Sequence, residues 1–136
     1  MKPVLEDIKV NVKIRIAAAW TAVMFCYIYA DYFGLFVPGQ LTRMLEGKLP
    51  PLGPVTQGAL VFTSTMMAIP SIMIFLSVAL RPTLNRWLNI ITGILYTLII
   101  LLTMWDWAFY IFYGVIEVAL TSLIVWYAWK WPRVEA

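Results

Sequence analysis

The sequence predicts an all-α membrane protein, a four transmembrane helix bundle with a short amphipathic interfacial helix in the first outer loop. Three observations predict it. The chain is 62% hydrophobic and only 12% charged over 136 residues, whereas soluble domains carry about 25% charged residues. Its apolar residues fall into four runs of about 20, the length that crosses a hydrocarbon core of about 30 Å at 1.5 Å per residue. Its basic residues sit at the ends of those runs, where they act as topology signals rather than as a nucleic-acid patch.

Taken in order, residues 1–15 carry Lys2, Lys9, Lys13 and Arg15 against Glu6 and Asp7. Apolar and polar residues alternate from Ile8 to Ile16, a strand pattern in isolation. The segment nevertheless runs into a membrane span with no turn residue, and Lys9 and Lys13 lie one helical turn apart, so we expect an interfacial helix there. Acidic residues at the start, and no small-residue cleavage site after the first apolar run, predict that the first span is retained. That span, about 16–36, ends in Tyr27, Tyr29, Tyr32, Phe33 and Phe36, aromatic residues suited to a headgroup layer. Val37-Pro38-Gly39 stops it.

In the 37–54 loop, Leu41, Met44, Leu45 and Leu49 recur at helical spacing around Arg43 and Glu46, with Gly47 as the stop, which predicts a short helix lying on the membrane. The second span, about 55–80, contains Pro70, which frees the carbonyl of Met66 and is expected to kink the helix where a neighbour satisfies it. A basic connection through Arg81 and Arg86 leads to Trp87, the expected start of the third span, about 87–105. Asp106 then separates it from the fourth, about 107–129, so these two form an antiparallel hairpin with Asp106 as the expected N-cap. All 136 residues are assigned to one integral membrane domain. If both termini are cytoplasmic, eight basic residues lie inside (Lys2, Lys9, Lys13, Arg15, Arg81, Arg86, Lys130, Arg133) and two outside (Arg43, Lys48), the asymmetry of an inner-facing end.

Chemistry is bounded by what is missing. There is no histidine and one cysteine, Cys26, which removes the usual zinc, haem and Ser-His or Cys-His arrangements within one chain. We expect no metal and no cofactor. The residue that stands out is Glu117 in the fourth span. An ionisable group at such depth costs at least about 2.5–3.5 kcal/mol on insertion scales and is a functional candidate by default. Counting from the outer end, it lies roughly 15 Å down its helix and Asp31 roughly 8 Å down the first. Tyr27, Thr63, Ser64 and Tyr96 fall in or near the intervening layer, and Tyr113 shares a helix face with Glu117, as do Tyr110 and Thr121.

These residues predict an acidic, aromatic-walled pocket open to the outer side, with Glu117 exchanging a proton or cation and Asp31 nearer the mouth; aromatic walls attract organic cations. No basic residue lies deep in a span, so a proton, a cation or a partner residue has to supply the positive charge. Glu117 is further expected to contact hydroxyls of Tyr27, Thr63, Ser64 or Tyr96. Asn85 and Asn89 are expected as inner-interface contacts and Trp20 as core.

Leu5-Glu6-Asp7-Ile8-Lys9, Tyr27 to Phe33, Val37-Pro38-Gly39, Ala68-Ile69-Pro70, Asn85 to Asn89 and the Trp126 to Pro132 run resemble a family of small prokaryotic four-span membrane proteins classified as a domain of unknown function. The resemblance covers nearly the whole chain and implies a multi-pass protein of the prokaryotic plasma membrane; it brings no activity with it. In size, span count and an embedded glutamate the chain also resembles the small multidrug transporters, which place that residue in the first span and not, as here, in the fourth.

Three functions follow in order of expectation. The first is a proton- or cation-coupled small-molecule transporter or channel, homo-oligomeric because four short helices enclose little volume. The second is a non-catalytic scaffold or accessory subunit. The third is an intramembrane enzyme acting on a lipid with Glu117 and Asp31 as acid and base; the chain is expected not to be an enzyme. Expected partners are the lipid bilayer and a small cationic or apolar ligand, with no nucleic acid.

Overall fold

The computed structural model of the chain describes residues 1–135. Four long apolar helices, α1 (Val12–Gly34), α3 (Gln57–Ala79), α4 (Pro82–Thr103) and α5 (Ala108–Trp129), are each long enough to cross a membrane. The protein is a multi-pass membrane protein. A short helix, α2 (Gln40–Leu45), follows the first span, as its leucine spacing predicts, and Gly47 after it takes φ +72°, a left-handed conformation open to glycine. The same loop holds an element that periodicity did not reveal. Lys48–Leu49 and Gly53–Pro54 form a two-residue antiparallel ladder, β1 and β2, with Lys48 opposite Pro54.

Helix ends depart from expectation in three places, each for a local reason. Residues 1–11 form no helix. Asn11 starts α1 instead, its side chain accepting the Lys13 amide at 2.9 Å. The third span begins at Pro82 rather than Trp87, since proline fits the first helical position, where no amide partner is needed. Asp106 does not cap the fourth: its amide turns back to Met104, and Trp107 is the N-cap, its carbonyl accepting from Tyr110 and Ile111.

The most extensive packing is of α5 on α1 and on α4, followed by α1 on α3; α3 and α4 touch only slightly. Ile16, Ala19, Trp20, Val23, Met73, Ile90, Tyr96, Ile124 and Ala128 form the core. Trp20 is fully enclosed, meeting Tyr96 edge to face at 6.2 Å between centroids. Its indole donates to Asn89 Oδ1 at 2.7 Å. Ser77 Oγ reaches the same oxygen at 3.2 Å, and Asn89 Nδ2 donates to Asn85 Oδ1 at 2.7 Å. Asn85 Nδ2 in turn donates to the Ser77 carbonyl at 2.6 Å. This chain of bonds ties α1, α3 and α4 together with all four side chains fully buried.

Basic residues close the adjacent helix ends. Lys13 Nζ donates to the carbonyls of Leu80 (2.6 Å) and Val78 (3.4 Å) at the end of α3. Arg86 Nε donates to Ala128 at the end of α5 (3.1 Å). Cations at helix C-termini satisfy orphan carbonyls and complement the dipole.

Candidate functional site

In the half of the bundle nearer the α2 loop the core gives way to a cavity of about 110 Å³, with room for several waters. Tyr27 and Asp31 of α1, Met66 and Met67 of α3, Tyr96 of α4, and Tyr110, Gly114 and Glu117 of α5 contribute to its wall. Helical spacing explains the arrangement. Tyr27 and Asp31 are four residues apart, and Tyr110, Gly114 and Glu117 recur at four and three, so each set shares one face. Gly114 makes the closeness possible: a Cβ there would stand 2.7 Å from Met104 Cβ, so the hairpin between α4 and α5 closes only over a bare backbone.

Glu117 is 6% exposed, and its carboxyl group receives no hydrogen bond among the described residues. Only its backbone carbonyl is engaged, by Thr121 Oγ1 at 3.0 Å. The expected contacts with hydroxyls of other helices are therefore absent, and each hydroxyl has a reason. Tyr96 donates to the Met66 carbonyl at 2.7 Å, the group that Pro70 leaves without its own amide. Thr63 bonds back to Ala59 and Leu60 on its own helix, and Ser64 is exposed on the outside of α3. Tyr27 has a buried hydroxyl with no partner among the described residues.

Of the seven residues singled out from the sequence, Glu117, Asp31, Tyr27 and Tyr96 come together on one cavity. Thr63, Ser64 and Tyr113 are not part of its wall. Tyr113 is half-buried and packs edge to face on Phe112, 5.5 Å between centroids. Asp31 is exposed at the cavity edge and lies beside Tyr110. Met67, Met104 and Gly114 have no place among the sequence-predicted site residues, and Met66 enters there only as the carbonyl freed by Pro70. Gly114 had a signal in being one turn from both Tyr110 and Glu117; the methionines had none.

The cavity wall is acidic and aromatic, without a basic side chain. No group of histidine, cysteine, aspartate or glutamate side chains able to hold a metal occurs among the described residues. Chemically the arrangement can accept a positive charge: two carboxylates for coordination or proton exchange, and tyrosine faces whose quadrupole favours cations.

No curated protein and no solved structure matches this chain. Residues 5–136 match the model of a family described as "Family of unknown function (DUF6326)", and the chain belongs to that family.

Proposed function

We propose that this member of a family without an assigned activity passes protons or a small cation across the membrane, with Glu117 as the exchanging group and Asp31 at the cavity edge. One observation carries the reading. The only two carboxylates within the spanning helices, distant in sequence, line one cavity together with three tyrosines and no cation of the protein. A carboxyl group enclosed in a membrane without a bonded partner is costly to keep for packing alone.

The volume narrows the cargo. Sites for drug-sized ligands occupy about 300–1,000 Å³, several times the 110 Å³ here. A proton carried with a few waters, or a cation of the size of methylammonium or an alkali ion, fits that space. The reading takes the protein as non-enzymatic and homo-oligomeric. It places both termini in the cytoplasm of a prokaryotic cell, in keeping with the eight-to-two distribution of basic residues. A scaffold or accessory role is the second reading. It is favoured by the bonds that hold helices together beside the cavity, Tyr96 to Met66 and Thr97 Oγ1 to Thr121 Oγ1 at 2.6 Å.

The test is flux in liposomes carrying an internal pH dye, under gradients of protons, sodium, potassium or methylammonium. The parent protein is expected to exceed protein-free vesicles for at least one of these. Glu117→Gln, which keeps shape and loses the charge, is expected to fall to the protein-free level with its thermal midpoint intact, and Asp31→Asn to retain part of the flux. A parent protein indistinguishable from empty vesicles under every gradient sinks the transport reading.

A further inference from the structure

The end of the bundle that carries both termini holds a second and larger cleft, of about 890 Å³. It lies among the N-terminal segment, the turn into α4 and the segment after α5. Six basic residues line it (Lys9, Lys13, Arg15, Arg86, Lys130 and Arg133), and no acidic residue does. Glu6, Asp7 and Glu135, the acids nearest along the chain, are not part of its walls. The one salt bridge among the described residues, Lys48 to Glu46, is in the 37–54 loop. Topology alone asks that basic residues flank the spans on one side. It does not ask that six converge on one concavity with no counter-charge, where their mutual repulsion opposes the fold.

Four of the six cations also have contacts that position them. Lys13 is anchored by the Leu80 carbonyl and Arg86 through Nε by the Ala128 carbonyl, which leaves the terminal nitrogens of the Arg86 guanidinium free for a bidentate acceptor. Arg86 lies near the rings of Trp87 and Trp129, at 5.6 and 5.8 Å. Arg15 stands 5.9 Å from the ring centre of Tyr127, and Lys130 stands 5.3 Å from that of Trp126. Trp126, Tyr127 and Trp131 wall the cleft, as do the apolar Val10, Val12 and Val134. Tryptophan and tyrosine belong at the depth where headgroups meet acyl chains. Basic pockets at the ends of membrane helices suit anionic headgroups.

We propose that this cleft binds the phosphate headgroup of an anionic phospholipid, taken from the surrounding bilayer. The phosphate neutralises the converging guanidinium and ammonium groups, and the aromatic and valine surfaces meet the glycerol and upper acyl chains. The inference is independent of the cavity around Glu117, since it uses other residues at the opposite end of the helices.

Binding is measured on the full-length protein in a neutral detergent by native mass spectrometry and thermal unfolding, with phosphatidylglycerol, phosphatidylcholine of the same chains, and pyrophosphate as probes. Phosphatidylglycerol is expected to be retained and to raise the midpoint, and phosphatidylcholine to do neither. Arg15→Gln combined with Arg133→Gln, both exposed and with side chains that make no hydrogen bond among the described residues, is expected to weaken phosphatidylglycerol binding by about tenfold or more. Arg43→Gln combined with Lys48→Gln, in the 37–54 loop, is expected to leave it unchanged. Equal retention of the two lipids, or equal weakening by both pairs of substitutions, overturns the proposal. Displacement of phosphatidylglycerol by pyrophosphate at the same concentration overturns the lipid as occupant in favour of a soluble phosphate.

Discussion

Toward the terminus-bearing end of the bundle, Trp20, Ser77, Asn85 and Asn89 close on one another until each buried side chain is bonded. Toward the α2 loop, the Glu117 carboxyl group and the Tyr27 hydroxyl make no hydrogen bond among the described residues, around a space large enough for water. Both clusters place polar atoms where hydrocarbon would be the default. The first is a fastening, because a polar network in a low-dielectric interior rigidifies when every member is satisfied. The second is an opening, because its polar groups await something that can enter and leave. In a membrane bundle, then, polarity of a position says less about role than whether its hydrogen bonds are already spent.

Substitutions that break this contrast fall in a definite order. Asn89→Leu strands the Trp20 indole N–H and the Ser77 hydroxyl together. Each buried group left unpaired costs about 1–3 kcal/mol, so a loss of about 3 kcal/mol is expected in unfolding from detergent micelles. A loss near the 0.6 kcal/mol average of interhelical bonds in one membrane protein would show that the network holds less than its geometry implies.

Tyr96→Phe comes next, at about 1 kcal/mol, since it strips the Met66 carbonyl of its substitute donor. In a Pro70→Ala background residue 70 regains an amide for that carbonyl, and Tyr96→Phe should then cost almost nothing. A double-mutant cycle isolates this coupling, and additivity of the two substitutions would refute the account of Tyr96 as the partner of a proline-freed carbonyl.

The smallest effects belong to the two cavity groups that lack a bonded partner. Tyr27→Phe and Glu117→Leu remove polar groups that have no bonded partner, so both are expected to be as stable as the parent or more so. Destabilisation of either by more than about 1 kcal/mol would mean that the cavity groups are fastened after all, and the distinction between the two clusters would dissolve.

Much of the architecture was legible because it rests on quantities that a sequence displays directly: apolar run length, aromatic belts and basic flanks. Glu117 and Asp31 were legible for a related reason, as charges in apolar surroundings. What stayed hidden depended on three-dimensional pairing. That Tyr96 faces Met66, while Thr63 bonds to its own helix and Ser64 points outward, follows from the rotation of α3, and near-uniform apolarity around that helix leaves no periodic signal to fix its phase. Pro82 and Asn11 carry the chemistry of a first-turn proline and a cap, but Trp87 is the more conspicuous interface residue and the alternating pattern before the first span obscures the cap. Asp106 had the right chemistry for a cap; Trp107 took the position one residue later.

The helix with the most extensive packing is also the last of the four spans in chain order. Synthesis delivers α1 and α3 first, and their pairing is fixed by Lys13 on the carbonyls that end α3. Yet α1 and α4 keep their largest contact surfaces open until α5 arrives between them, and Thr97 waits for Thr121. A chain cut within α5 loses more than one helix: it loses the element on which the others converge.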